Sequence, residues 1–588
     1  MAEGNAAIAI SEESAAAARA LSGTSAAEVA SARLDGPDFS EDQRKGSIPS
    51  PITAATLALA ACGGGGGGGG GTTPAPQPPP AAIQPSRAQA ARFLGQAAVG
   101  ASKAHIEQIA ASGYEAWLDG QFAMPRAIKH WDWLVQAGYA TAATQNSEQG
   151  FDPVMWRQLI ASNDTLRSRV AMALLDQLVV GIAGVNAPWR QFACAAYVDI
   201  LHDGAFGNFR DLLQNISTNA AMGYYLTFLG NRKANAATGS VPDENYAREL
   251  MQLFTIGLQK LNADGTLQLA NGLPVETYTQ DDITGLARVF TGWNLANSDN
   301  STPNRMQLPM VNVASQHETG VKTFLGTTIP AGTDGPNSLR LALDAIFAHA
   351  NVPPFVAKQL IQHLVTSNPS PAYVGRIAAV FANNGSGVRG DLRAVVRAIL
   401  LDAEARTDGN AANAQYGKLR EPVMRLTGWA RAFGATSPSG AWPIGDTSST
   451  ANRIGQSPGR SPSVFNFFRP GYTPPNTAIA TANLVAPEFQ ITNEPSVIAY
   501  VNYMAVLISA GTGDFQANYA DMIALAGNGT SLVDEVDILL GAALSAGTKA
   551  SIRAAVDAIA IGATNAAQNR VYTAVLLTLA APEYLTQK

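Results

Sequence analysis

Residues that could carry out acid–base chemistry are concentrated in one short segment, "PDENYARELMQLFTIGLQKL", residues 242–261. At 100° per residue, Glu244, Arg248 and Glu249 fall on one face of a helix, and the opposite face is apolar. A carboxylate on such a face could act as a general acid or base if a second group from elsewhere in the chain lay beside it. This segment is therefore the first candidate for a catalytic site.

The spacing within the segment limits that chemistry. Glu244 and Arg248 are four residues apart, so they can form a salt bridge, which contributes about 0.3–0.5 kcal/mol on an exposed helix. Glu249 lies roughly 140° around the helix from Glu244, so the two carboxylates do not converge by themselves. The geometry favours a solvated or inter-helix polar face. A catalytic site remains the alternative, and it would need a partner residue.

His317 is the histidine best placed to be that partner. It lies in the polar segment "ASQHETGVKTFLG", which is typical of a loop, and loops often carry functional residues. The candidate catalytic residues are therefore Glu244, Arg248, Glu249 and His317. We predict no metal site and no cofactor, since the two cysteines, Cys62 and Cys194, do not form a metal-binding cluster.

A second candidate is the aromatic segment "FNFFRPGYTPPN", in which prolines restrict the backbone. Aromatic ring faces can stack on sugars or on other rings. The residues that could stack on a ligand are Phe465, Phe467, Phe468 and Tyr472. The other interpretation, which we favour, is a loop whose rings fill gaps in the body of the protein.

The N-terminal region resembles an export signal. A basic pair, Arg44 and Lys45, precedes an apolar run that ends in "LAAC", as in a secretory signal. This ending resembles the bacterial lipobox, so Cys62 is the predicted lipidation site. The long leader before Arg44 resembles twin-arginine export signals, although the pair here is Arg-Lys. Residues 1–62 are assigned to the leader and signal, and residues 63–86, rich in Gly and Pro, to a flexible tether.

The remaining residues, 87–588, are predicted to form an all-α body, because apolar residues recur at helical spacing. Ser240 with Asp243 fits a capping box, which predicts that a helix begins near Pro242. A small β-hairpin is expected near residues 264–278, where Asp-Gly and Asn-Gly pairs occur. The length suggests two packed lobes, and the net charge of -6 gives no support for nucleic-acid binding.

Several blocks resemble a bacterial family known as domain of unknown function 1800. The most distinctive begins "PDENYARELMQLFTIGLQKLNADGT" and continues with "ETYTQDDITGLARVFTGWN". Other similar blocks are "AFGNFRDLLQNISTNAAMGYYLTFLGNRKA", "PPFVAKQLIQHLVTSNPSPAYVGRIAAVFANNG", "GVRGDLRAVVRAILLDAEAR", "GKLREPVMRL" and "SPSVFNFFRPGYTPPN". The resemblance implies an exported, mostly helical protein, often encoded beside a second exported protein related to sulfatases and alkaline phosphatases. It implies no reaction and no catalytic residue.

Two functions are consistent with these patterns. The favoured one is a lipid-tethered accessory or interaction protein of the cell envelope, working with the exported sulfatase- or phosphatase-like partner. The alternative is a hydrolase or other enzyme acting on envelope or extracellular polymers. An enzyme should have a deep cleft where the polar face beginning at Glu244 meets a histidine or carboxylate. An interaction protein should bury that face between helices and expose an apolar patch elsewhere.

Overall fold

Helices make up most of the protein in the computed structural model, which describes residues 84–588. This confirms the predicted all-α class. Residues 84–588 belong to one compact unit, and the two packed lobes that we expected within it stay a prediction. The predicted signal region, Cys62 and the tether up to residue 83 lie outside the described residues.

The helices follow one another with short connections. Those of the first half are α1 (Arg87–Ala97), α2 (Lys103–Ala123), α3 (His130–Gln136), α4 (Phe151–Ala161), α5 (Thr165–Gln177), α6 (Arg190–Gly204), α7 (Phe209–Ser217), α8 (Ala220–Tyr225), α9 (Asn245–Glu249) and α10 (Gln280–Ala287). Those of the second half are α11 (Gly335–Ala348), α12 (Val352–Leu364), α13 (Pro371–Ala382), α14 (Leu392–Leu401), α15 (Ala403–Arg406), α16 (Pro422–Ala432), α17 (Ala478–Thr481), α18 (Glu494–Ala510), α19 (Ala520–Leu525), α20 (Gly529–Leu540), α21 (Ala546–Asp557), α22 (Ala566–Ala580) and α23 (Pro582–Leu585). In the described part of the chain, no helix is both long and apolar enough to cross a membrane.

Local sequence accounts for many of the helix ends. Ser86 accepts a hydrogen bond from the backbone of Gln89, whose side chain accepts one from the backbone of Ser86, so the two form a capping box at the start of α1. Asp334 caps α11 and Asp391 caps α14 through their side chains. These polar residues define where the apolar helical segments begin, and the apolar faces then pack into one extended core.

The strands are short and occur in antiparallel pairs. Leu269–Ala270 (β1) pairs with Leu273–Pro274 (β2), which confirms the predicted hairpin. Asn271 and Gly272 between them both have positive φ, as a tight hairpin turn requires. The other pairs are Trp293–Asn294 (β3) with Val311–Asn312 (β4), Lys322–Phe324 (β5) with Thr327–Ile329 (β6), and Lys418–Leu419 (β7) with Thr586–Gln587 (β8).

The helix that begins near Glu244 differs from the predicted one. It starts at Asn245, three residues after Pro242, and the Asp243 carboxylate accepts a hydrogen bond from the Asn245 backbone. After Glu249 the backbone continues as a π-helix, Leu250–Thr255. A π-helix has more residues per turn than an α-helix, so the angular positions calculated for an ideal α-helix do not hold beyond Leu250.

Candidate functional site

The predicted catalytic residues separate into three environments. Glu244 accepts hydrogen bonds from Arg248 (3.2 Å), from Gln280 Nε2 (2.7 Å) and from Thr284 Oγ1 (2.7 Å). Gln280 and Thr284 belong to α10, so these bonds connect the start of α9 to a neighbouring helix. We call Glu244 and Arg248, both partly exposed, the surface strip. It has the inter-helix role that the spacing favoured.

Glu249 is in a different environment from that strip. It is buried, and its Oε2 has no hydrogen-bond partner among the described residues. Burial raises the pKa of its carboxyl, and the charge of Arg248 only partly offsets this. The helical wheel gives the direction of a side chain but cannot show what packs against it, so it did not indicate that Glu249 is buried.

His317 is also buried, although it lies in the polar segment that we predicted to be a loop. Its Nδ1 lies 2.9 Å from the carbonyl oxygen of Thr291, and its Nε2 lies 3.3 Å from Ser338 Oγ. Burial lowers its pKa, so the ring is neutral at pH 7. In the described structure its hydrogen-bond partners have no residue in common with those of Glu244.

The aromatic segment packs partly into the body of the protein. Phe468 is buried, and the Arg469 guanidinium lies 4.3 Å from the centre of the Phe465 ring. Phe467 lines a small internal cavity, and the backbone of Tyr472 bonds to that of Ala486. No ligand is needed to explain these positions, and a stacking role for the four rings stays a prediction.

A different group of residues forms the strongest candidate site. Asp176, His363 and Glu421 each offer an atom that could bind a metal ion, and these atoms lie within 4.8 Å of one another. The three residues are far apart in sequence. The last turn of α5 supplies Asp176, the last turn of α12 supplies His363, and Glu421 is the N-cap residue of α16. Helices α5 and α12 pack against each other, which brings Asp176 and His363 together.

Lys418 and Glu488 complete this group, which we call the buried centre: Asp176, His363, Lys418, Glu421 and Glu488. Lys418 Nζ lies 3.4 Å from Glu421 Oε1 and 3.0 Å from Glu488 Oε1, and all three side chains are almost fully buried. The same Nζ donates a hydrogen bond of 2.8 Å to the carbonyl oxygen of His363. Pairing Lys418 with two carboxylates offsets the large cost of burying these charges.

Polar side chains around the buried centre hold its carboxylates in place. Asn466 Nδ2 donates to Asp176 Oδ1 at 2.6 Å, and Gln456 Nε2 donates to Glu421 Oε2 at 3.1 Å. Arg169 Nη2 donates to the carbonyl oxygen of His363 at 2.5 Å. Asn466 comes from the aromatic segment and has a positive φ of 58°, which an asparagine adopts more readily than most residues. The aromatic segment therefore supplies one wall of the centre.

The three carboxyl groups and the imidazole of the centre have shifted pKa values. Burial, with Glu421 nearby, raises the pKa of Asp176 well above its usual value. Burial, reinforced by Lys418, lowers the pKa of His363 to about 3. Burial alone would raise the pKa of Glu421, but the charges of Lys418 and Arg169 outweigh burial and lower it. At pH 7 the centre thus combines a neutral imidazole with an ionised Glu421.

Sequence reasoning missed this centre, but some of its members carried a signal. Asp176 is a lone acid within the apolar run "AMALLDQLVV", where a carboxylate is costly to bury unless it has a partner. His363 lies in the apolar helical segment "PFVAKQLIQHLVTS", where a histidine is most often a packing residue. Lys418 and Glu421 lie in "GKLREPVMRL", which drew attention only through its family resemblance. Nothing in one sequence indicated that these segments meet.

Comparison with known proteins agrees with the resemblance seen in the sequence. No match was found among curated proteins or among solved structures. The model of a family described as "Protein of unknown function (DUF1800)" matches residues 92–586, which include the surface strip, the aromatic segment and the whole buried centre. The chain therefore belongs to the DUF1800 family.

Proposed function

We propose that this protein is an exported, lipid-tethered accessory protein of the cell envelope that acts by binding a partner protein through the outer face of α18. The observation that carries the proposal is the apolar character of that face. Val497, Ile498 and Val506 are 50%, 63% and 56% exposed, respectively, whereas the solvent face of a helix is ordinarily polar.

The opposite face of α18 is apolar as well, and it already has a structural role. Tyr500, Tyr503, Met504 and Leu507 are buried against the body, and Tyr500 Oη donates to the carbonyl oxygen of Leu579 in α22. Packing within the chain therefore accounts for one side of the helix only. Exposed apolar patches of this kind, bordered by polar groups, are typical of protein interfaces.

A groove with a polar border runs beside the exposed face. It has a volume of about 360 Å³, and Asn452, Arg453, Asn502, Val506 and Thr512 are among its lining residues. The guanidinium of Arg453 lies 5.0 Å from the centre of the Tyr503 ring. Arginine and tyrosine are enriched at interfaces, where they combine apolar contact with hydrogen bonding.

A protein partner fits this face better than a lipid surface does. Helices that lie on membranes carry lysines and arginines along their polar face. Helix α18, "EPSVIAYVNYMAVLISA", contains neither. The partner that we propose is the exported sulfatase- or alkaline phosphatase-like protein that the family resemblance implies. The lipid on Cys62 would hold this chain at the membrane surface, near that partner.

The alternative function, a hydrolase with its site at Glu244, receives no support from the geometry. The surface strip bonds to α10, while Glu249 and His317 are buried in separate surroundings. The bonds between the surface strip and α10 are those of a polar face that holds helices together, although the strip is partly exposed.

Binding between the two purified proteins tests the proposal. The full chain and the phosphatase-like protein encoded beside it would be mixed, and their dissociation constant measured by interferometry. We expect saturable binding that weakens at least about 10-fold in the variants Ile498→Glu and Val506→Glu, since an interface residue at a hot spot contributes more than ~1 kcal/mol. Ile561→Glu is the matched control, because Ile561 is 69% exposed and belongs to the connection between α21 and α22 and not to α18. Absence of binding by the wild type, or equal binding by all variants, would reject the proposal.

The lipid tether needs its own test. Cys62→Ala should move the protein from the membrane fraction to the soluble fraction of the envelope, because a lipid on that cysteine would supply the attachment. Fractionation followed by immunoblotting measures this. A variant that stays with the membranes would contradict lipidation at Cys62 without affecting the role proposed for α18.

A further inference from the structure

The buried centre contains a carboxylate that the protein leaves incompletely paired. Asp176 has its side chain 6% exposed, and among the described residues its Oδ2 has no hydrogen-bond partner. The nearest ionisable group is His363, whose Nδ1 is 3.7 Å from Oδ2, which is too far for a hydrogen bond. No lysine or arginine of the described chain lies within ion-pair distance of Asp176, since Lys418 pairs with Glu421 and Glu488.

We propose that Asp176, His363 and Glu421 bind one divalent transition-metal ion, such as Zn²⁺ or Mn²⁺. The donor set is one imidazole nitrogen and two carboxylates. Imidazole suits zinc and other transition metals, whereas calcium and magnesium prefer ligands that are all oxygen. This site is independent of the α18 surface and of the function proposed for it.

The distances fit an ion after a small adjustment of side chains. The three ligand atoms lie within 4.8 Å of one another. Around an ion with bonds of about 2.1 Å, two ligands at tetrahedral angles would be roughly 3.4 Å apart. Asp176 and His363 both lie in the last turn of a helix, where the partial negative charge of the helix end favours a cation.

A small cavity beside Asp176 provides room for a further ligand. It has a volume of about 10 Å³ and is lined by Asp176, Gln456, Ser457, Ser461 and Asn466, among others. This is close to the minimum of ~10–15 Å³ that one water molecule needs, and the five residues named offer polar groups that could bind it. In the described structure the hydroxyls of Ser457 and Ser461 are buried without hydrogen-bond partners, so a water there would also satisfy them.

The surrounding hydrogen bonds would orient the ligands, as outer groups do in other metal sites. Asn466 binds the other oxygen of Asp176, and Gln456 binds an oxygen of Glu421. Lys418 contacts Glu421 Oε1, so it would compete with the ion for that oxygen while leaving Oε2 to the ion and Gln456. These hydrogen bonds would hold the three ligand side chains in position before an ion binds.

Metal content and metal affinity of the full chain test this proposal. Protein purified without chelator would be measured by inductively coupled plasma mass spectrometry, then stripped with EDTA and titrated with ZnCl₂ and with MnCl₂ by calorimetry. We expect about one ion per chain and saturable binding of at least one of the two metals. The variants Asp176→Asn and His363→Gln should bind at least about 100-fold more weakly, because each loses a direct ligand. His105→Gln, which changes a histidine packed against Trp117, is the matched control.

Thermal unfolding distinguishes a bound ion from a protonated carboxyl group. If an ion is bound, adding the metal should raise the Tm of the stripped wild type and leave the Tm of Asp176→Asn unchanged. If Asp176 simply holds a proton, the purified chain will contain no stoichiometric metal and the Tm will not respond, and the proposal fails. Binding that persists in both ligand variants would also overturn it. Should a variant not fold, the metal content and Tm response of the wild type still decide the question.

Discussion

The surface strip and the buried centre both contain carboxylates beside a cation, yet their energetics differ. In the surface strip, Glu244 and Arg248 are one helical turn apart and water screens them. In the buried centre, Lys418, Glu421 and Glu488 are almost fully buried, and one long segment of chain separates Glu421 from Glu488. The charged residues that are crowded into one short segment therefore interact only weakly in this protein. The charges that interact strongly come together only when the chain folds.

The largest expected effect is at Glu421. Glu421→Ala leaves Gln456 without its acceptor and Lys418 with one carboxylate instead of two. We expect a loss of about 3–5 kcal/mol in the free energy of unfolding, as is typical when one partner of a buried ion pair is removed. Urea unfolding followed by circular dichroism measures it, with Glu421→Gln as the isosteric control. A loss below about 1 kcal/mol would mean that the buried centre is no more important than the surface strip.

A second buried polar cluster, around His202, leads to a prediction of how the stability of the protein depends on pH. His202 packs against His130, near Arg126, Asp199 and Arg167. Burial, with the neighbouring cations, lowers the pKa of His202 well below its usual value. The unfolded chain therefore takes up the proton first, so the folded state loses stability as pH falls below about 6.5.

The size of that loss has an upper limit. Between pH 6.5 and pH 5 one histidine can contribute at most about 2 kcal/mol, at ~1.36 kcal/mol per pH unit. We expect His202→Gln to lose less stability than the wild type over this range in urea unfolding curves. Parallel pH profiles for the two proteins would show that His202 is not kept neutral by its surroundings.

Glu249 offers a smaller test of burial. Its carboxylate is buried with an unpaired Oε2, and its pKa is raised. Replacing it by the neutral amide in Glu249→Gln should stabilise the protein at pH 7 by about 1 kcal/mol, since a buried unpaired charge is removed. Thermal unfolding at pH 7 and pH 5 checks this, because the gain should shrink as Glu249 becomes protonated. If Glu249→Gln instead destabilises the protein at both pH values, the carboxylate of Glu249 stabilises the fold as part of the polar face that the sequence suggested.

The smallest effect is expected at Glu244. Glu244→Ala removes a partly exposed carboxylate and its bonds to Arg248, Gln280 and Thr284. We expect a loss of roughly 0.5 kcal/mol, the usual contribution of an exposed pair. Because water screens such a pair, high salt should reduce the loss further. A loss comparable to that of Glu421→Ala would remove the contrast between the two regions.

The structural features that depend on local sequence patterns could be predicted. Apolar periodicity predicted the helices, and turn residues predicted the hairpin at Leu269–Pro274. The predictions that failed concern features that depend on tertiary packing. The start of α9 and the π-helix after Glu249 depend on neighbouring segments, and the burial of His317 depends on Thr291 and Ser338.

The candidate site was the least predictable part, for a physical reason. Asp176, His363 and Glu421 lie on three helices, and only Asp176, a lone acid in an apolar run, stands out in its own segment. Their proximity comes from the packing of α5 on α12 and from the position of β7 just before Glu421. The pair between β7 and β8, at Lys418 and Gln587, adds the last residues of the chain to this region. Contacts between such distant segments cannot be read from one sequence.

The most direct test of the contrast between the two regions is a matched pair of substitutions that each replace a cation by methionine. Lys418→Met leaves Glu421 and Glu488 buried without their cation, while Arg248→Met removes only a screened surface partner of Glu244. In urea unfolding at pH 7, we predict that Lys418→Met loses at least about 3 kcal/mol and Arg248→Met less than about 1 kcal/mol. Equal losses, or a larger loss for Arg248→Met, would contradict the conclusion that the buried centre contains the strongly coupled charges of this protein.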